Sequence, residues 1–151
     1  VTGIDIVREQ IRIAQGEALS IAQADIAPRG HAIECRINAE DPFTFQPSPG
    51  RIAGLNLPGG PGVRVDTHIV AGYTVPSNYD SLIAKIIAHG TTRQEAIARM
   101  VTALAELRVE GIKTNAPLCA AILRDPAFVH GGADIHHLEH WLAARASDAG
   151  R

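Results

Sequence analysis

The residues of this chain best suited to chemistry stand two apart: Glu34, Arg36 and Asn38, continued by Glu40 and Asp41. On an extended strand, side chains at i and i+2 point to the same side, so this spacing sets a guanidinium between a carboxylate and an amide on one face. A carboxylate two residues away can hold the guanidinium in one orientation and leave its other donors aimed at a cleft, which makes an anion or oxyanion site. The alternative is a solvated strand face with a weak surface ion pair, worth about 0–1 kcal/mol. Periodicity alone leaves both open.

Other clusters are less specific. Pro58-Gly59-Gly60-Pro61-Gly62 is glycine-rich but lacks the GxxxxGK[ST] and GxGxxG spacings, and its prolines delete N–H groups that a phosphate cradle needs. It reads as a structural turn. His136 and His140 share a helix face beside His137, yet no Glu is placed as in HExxH and no third ligand is in view, so no metal is assigned. Cys35 falls on the apolar side of its strand and Cys119 beside Leu118, where free cysteine behaves as a small hydrophobe. The two are far apart and form no Cys-x-x-Cys pair, which argues for a reducing, cytoplasmic setting.

These residues need elements to position them. Ile33, Cys35, Ile37 and Ala39 alternate with Glu34, Arg36, Asn38 and Glu40, predicting a half-buried strand over 32–40. A short strand is expected over 51–57, another over 63–69, and a central strand covered on both faces over 82–88, where the run is nearly all apolar. Helices are expected over 4–15, behind a capping box at Thr2 and with Ile4, Val7, Ile11 and Ala14 as its buried stripe, and from Thr92 to about Leu107. A shorter helix should start at Thr114-Asn115 and end at Asp125-Pro126, and Asp134 should cap a last one. Strands first and helices afterwards, without βαβ alternation, predict an α+β fold with a mainly antiparallel sheet.

Length and charge bound the function. At 151 residues, 46% apolar and 20% charged, the chain suits one domain spanning 1–151 and offers no apolar run of about 20 residues for a membrane span. A net charge of −2 provides no broad basic face for nucleic acid or anionic lipid. The chain opens Val-Thr-Gly without a Met and enters a helix signal at once, as a piece of a longer protein would.

The run from Arg29 to Pro42, Arg-Gly-His-Ala-Ile-Glu-Cys-Arg-Ile-Asn-Ala-Glu-Asp-Pro, resembles the signature of the biotin carboxylase family. Pro47-Ser48-Pro49-Gly50, Gly62-Val63-Arg64, Ala71-Gly72-Tyr73-Thr74-Val75-Pro76, Tyr79-Asp80-Ser81, Gly111-Ile112-Lys113-Thr114-Asn115 and Ile135-His136-His137-Leu138-Glu139 have counterparts there in the same order. The resemblance is to the C-terminal domain of that ATP-grasp enzyme, without its N-terminal, central and lid regions. It implies ATP with magnesium or manganese bound by ligands outside this chain. It also implies carboxyphosphate formed from bicarbonate, and biotin as the carried substrate. Arg36 matches the catalytic arginine that faces bicarbonate and the ureido oxygen of biotin. Ile135 and His136 match positions bordering the adenine of ATP. Arg64 matches an arginine of the homodimer interface and Asp80 a carboxylate near it, while Pro61 stands where some members carry an aromatic. The implied partners are the rest of the biotin carboxylase, a biotin carboxyl carrier protein and a carboxyltransferase, as in acetyl-CoA carboxylase of fatty acid biosynthesis. Two other readings stand beside this: a non-catalytic docking or dimerisation module, and a domain of another ATP-grasp ligase.

Overall fold

The alternation over 32–40 becomes strand β1 (His31–Asn38) in the computed structural model, which describes residues 1–149. Ile33, Cys35 and Ile37 turn into the core, and Glu34 and Arg36 face outward. β1 pairs antiparallel with β6 (Leu82–Gly90), and β6 pairs on its other edge with β4 (Val63–Thr67), giving the order β1-β6-β4. β6 is therefore central, as its apolar run predicts. Its cover is unequal, however: Ala84, Ile86 and Ala88 are buried beneath the sheet, while Lys85 and Ile87 on the opposite face are only half-buried.

The single strand expected over 51–57 is two short ones, interrupted at the fully buried Ile52. β2 (Gly50–Arg51) pairs with β5 (Thr74–Val75), and β3 (Gly54–Asn56) pairs with β7 (Arg108–Glu110). Every one of these pairings is antiparallel, so the fold is α+β with antiparallel sheets, as the element order implies.

Helix α2 (Arg93–Glu106) closes the core by laying Ala96, Ile97, Met100, Ala103 and Leu104 against the three-stranded sheet. Its start is tight because Gly90 has no side chain: a Cβ there would lie 2.6 Å from the Ala96 nitrogen. Thr92 caps it by accepting from the Glu95 N–H at 3.2 Å, and the Glu95 carboxylate accepts from the Thr91 N–H at 2.7 Å, one residue before the cap.

The first helix differs from expectation. α1 (Ile6–Ala14) is capped by Asp5, which accepts from the Arg8 N–H at 3.0 Å, and Thr2 bonds only Ile4. No residue of α1 is buried, and Ile6, Val7, Ile11 and Ile13 are all exposed, so its apolar stripe does not join this core. After α3 (Ala116–Ile122), Asp125 starts a helix that the sequence reading omits: α4 (Pro126–His130), with Asp125 accepting from Ala127 and Phe128 and Gly131 stopping it at φ 82°. α5 (His137–Ala149) follows. No helix among the described residues is long and apolar enough to cross a membrane.

Candidate functional site

Strand register builds the outward face around Arg36. Arg36 pairs with Lys85, which pairs with Asp66, while Glu34 pairs with Ile87 and Ile87 with Arg64. Side chains directly opposite in an antiparallel pair have Cβ atoms about 4.5–5.5 Å apart, so the guanidinium of Arg36 and the ammonium of Lys85 are neighbours. Among the described residues neither cation has an ion pair or a side-chain hydrogen bond. Two like charges side by side destabilise a sheet unless an anion joins them. The arrangement is suited to receiving one.

The carboxylate clamp expected from Glu34 is not formed. The same spacing does close on β4, where Arg64 Nη2 meets Asp66 Oδ2 at 3.0 Å. Arg36 is held through its backbone instead. β1 is an edge strand, and the side-chain amide of Asn115 completes that edge: its Nδ2 donates to the Arg36 carbonyl at 3.0 Å and its Oδ1 accepts from the Asn38 N–H at 2.8 Å. The Asn115 N–H also donates to the Asn38 carbonyl at 3.1 Å. A side-chain amide has the same donor and acceptor as a peptide group, so Asn115 acts as a one-residue neighbouring strand. It gives up its own role as cap of α3 to do so. The clamp sits at the point where β1 slips register against β6, between Ile37 and Asn38.

Glu40 and Asp41 point to loop-holding rather than to Arg36. Glu40 accepts from Asn38 Nδ2 at 3.3 Å and from the Ser81 hydroxyl, tying β1 to the segment before β6. Asp41 takes Lys113 Nζ at 2.9 Å and the N–H groups of Phe43 and Thr44. The Lys113 ammonium, and then those backbone donors, hold the Asp41 carboxyl well below the usual carboxylate range.

The remaining sequence candidates lie on other elements. Asp80 is exposed and accepts from the Leu82 N–H at 2.7 Å at the start of β6. Arg64 is paired across from Ile87 near the other end, roughly 17 Å away at 3.4 Å per residue, so the two are not brought together. Ile135 is 91% exposed just before α5. His136 stands next to it with Nδ1 3.7 Å from Glu139, while His137 turns to Asp125 at 3.1 Å. Among the described residues no three His, Cys, Asp or Glu gather as a metal-ligand set. In the glycine-rich turn, Gly62 is closely packed, since a Cβ there would lie 2.6 Å from the His89 carbonyl oxygen, whereas a Cβ on Gly59 or Gly60 would meet nothing within 4 Å. Lys85 and Asn115 are the site residues that sequence reasoning missed. Lys85 is the lone charge in an apolar strand, which was the available signal.

The sequence profile described as the biotin carboxylase C-terminal domain matches residues 34–140, opening at Glu34 on the strand that carries Arg36. The chain belongs to this family. It is 61% identical over 142 residues to the biotin carboxylase of Allochromatium vinosum, covering 94% of this chain and 32% of that protein. To a pyruvate carboxylase subunit of Methanothermobacter thermautotrophicus it is 51% identical, covering 93% and 29%. A solved biotin carboxylase domain dimer of Hydrogenobacter thermophilus 2-oxoglutarate carboxylase, in complex with MgADP, ADP and bicarbonate, superposes with a TM-score of 0.87 at 45% identity, covering 93% of this chain and 31% of that one. The biotin carboxylase C-terminal domain found here thus spans about a third of the length of the relatives it matches.

Proposed function

We propose that residues 1–151 serve as the one C-terminal domain of a biotin carboxylase, which uses ATP and bicarbonate to carboxylate biotin on a carrier protein. The observation that carries this is the pair of unpaired cations, Arg36 and Lys85, on a strand fixed by Asn115. Bicarbonate is an anion, and the ureido oxygen of biotin gains negative charge as its neighbouring nitrogen loses a proton. The planar fork of Arg36 can offer donors to both, and Lys85 adds a point charge beside it. Donors already in place need no reorganisation as the charge develops. ATP, when bound, supplies the phosphoryl group that activates bicarbonate. Ile135 and His136 are assigned to the border of its adenine, which suits an apolar side chain left 91% exposed. The accompanying magnesium or manganese is assigned no ligand in this chain.

Arg64 and Asp80 are assigned to a homodimer contact, the biotin carboxyl carrier protein to delivery of biotin, and a carboxyltransferase to the second half-reaction. The acetyl-CoA carboxylase assignment, with fatty acid synthesis in the cytoplasm, rests on resemblance. Relatives named for pyruvate and 2-oxoglutarate carboxylation share this domain, so the acceptor is chosen elsewhere. The test is carboxylation of free biotin by the enzyme carrying this chain. Arg36→Gln should lower the rate about 10²–10³-fold, or about 2.7–4 kcal/mol, with the KM for ATP unchanged. Arg36→Lys should recover little, because an ammonium lacks the fork. Normal turnover in both variants would return Arg36 to an ordinary solvated strand face.

A further inference from the structure

Helix α5 follows two glycines and has no deep anchor. Before it, α4 is fixed to α2: the Arg93 guanidinium donates to the Phe128 carbonyl, and its Cζ lies 4.9 Å from the Phe128 ring centroid. Gly131, at φ 82°, and Gly132 come next, so the direction of the chain beyond α4 depends on what holds the following helix. Among the described side chains of α5, His137, Leu138, Trp141 and Leu142 are half-buried and the rest are exposed. At its start, Asp134 accepts from the His136 N–H at 2.9 Å, a contact within the segment itself. His137 Nε2 stands 3.1 Å from Asp125 Oδ1 but is not aligned for a hydrogen bond. A second hold lies eight residues on, roughly 12 Å along the helix at 1.5 Å per residue. Trp141 and Arg145 are four residues apart and share a helix face. Arg145 Cζ lies 4.8 Å from the Trp141 ring centroid and 5.6 Å from that of Phe43, both within the ~6 Å reach of a cation over an aromatic ring. The contact with Trp141 stays within α5, and the contact with Phe43 crosses to the loop after β1. That loop is fixed: Asp41 accepts from the Phe43 N–H at 3.1 Å and takes Lys113, and its own N–H donates to the Gln46 carbonyl at 2.9 Å.

We propose that Phe43, Arg145 and Trp141 form a clasp that fixes α5 against the loop following β1 and so orients Ile135 and His136, just before and at the start of that helix, toward the adenine of ATP. Arg145 is then a positioning residue for the nucleotide. The inference rests on the assignment of Ile135 and His136 to the adenine border. Trp141 holds the guanidinium in place from its own helix, and Phe43 receives it from a loop that cannot follow α5 if the helix moves. Arg36 is held separately, by Asn115, so loss of the clasp should weaken nucleotide binding and spare the biotin side of the reaction.

The experiment measures biotin carboxylation and amide hydrogen exchange in the enzyme carrying this chain. Arg145→Ala should raise the KM for ATP about 2–5-fold, the factor expected for one exposed cation–π contact, with kcat and the KM for biotin unchanged. Amides of α5 should exchange faster in that variant while those of β1 and β6 do not. Arg145→Lys keeps a cation and should recover most of the ATP affinity. Phe43→Ala should match Arg145→Ala, and the double variant should add little to either, because both break one contact. Ile135→Ala tests the adenine border itself. If it raises the KM for ATP and Arg145→Ala does not, the clasp is overturned and the adenine assignment stands. If Ile135→Ala leaves that KM unchanged, the assignment fails and the inference with it. Unchanged exchange in α5, or a loss in Arg145→Ala that falls equally on ATP and biotin, would also overturn the clasp.

Discussion

Replacing Asn115 by alanine is the sharpest test of how Arg36 is held. The substitution removes the donor to the Arg36 carbonyl at 3.0 Å and the acceptor for the Asn38 N–H at 2.8 Å. Each neutral hydrogen bond contributes about 0.5–1.5 kcal/mol net, so the loss should be about 1–3 kcal/mol, toward the upper end if water cannot replace the amide. For a domain of about 150 residues, 2 kcal/mol lowers Tm by roughly 4–8 °C, which a circular-dichroism melt resolves. Asn115→Asp should do no better: it keeps an acceptor for Asn38 but sets a carboxylate oxygen against the Arg36 carbonyl. A purely structural role predicts a lower Tm and unchanged chemistry below it. A positioning role predicts in addition a lower kcat for biotin carboxylation with the KM for ATP intact. The double variant with Arg36→Gln separates the two, since a residue acting through Arg36 has little left to change once that guanidinium is gone. Two results would refute the reasoning: an Asn115→Ala variant with normal Tm and kcat, or a kcat loss that adds in full to that of Arg36→Gln.

Lys85→Met keeps the stem and deletes the charge opposite Arg36. It should raise stability by a few tenths of a kcal/mol in a urea titration, by relieving like-charge repulsion, while lowering the biotin carboxylation rate. Arg64→Glu breaks the exposed pair with Asp66, an effect of less than about 1 kcal/mol on stability, and should shift the enzyme from dimer toward monomer in sedimentation, with a salt-sensitive constant and the largest shift at low salt, where rim charges are least screened. A tight dimer unchanged by the reversal would remove Arg64 from the interface. Asp41 titrates below its unfolded value of about 3.9, so its contribution is fully present above that pH and is lost as pH falls through the lower folded value. Asp41→Asn should therefore be less stable than the wild type at neutral pH, and the gap should close in melts taken progressively below about pH 4.

Which parts of this structure could be read in advance follows from where the determining contacts lie. The face of β1 was legible because one strand with one buried side must alternate, and Ile33, Cys35 and Ile37 do. The centrality of β6 was legible for the same local reason. Lys85 was not, because its importance comes from standing opposite Arg36, and register is a property of two strands. α1 shows the converse: Ile6, Val7 and Ile11 form a true apolar stripe, but amphipathicity states that a face seeks cover and not what covers it. Glu34 and Arg36 share a spacing with Arg64 and Asp66, and only the second pair closes, so i, i+2 placement permits an ion pair without deciding it.

Asn115 is the most instructive case. By local rules it is a helix-start residue before Pro117, and it does precede α3. An amide that caps its own helix cannot also complete a strand edge, and the choice depends on β1, whose Arg36 and Asn38 lie far back in the sequence. Edge strands need partners for the groups that face away from the sheet, and a short helix arriving end-on can supply one amide where a full strand would cover the face. That economy leaves the side of β1 bearing Arg36 open to a ligand while its backbone stays fixed.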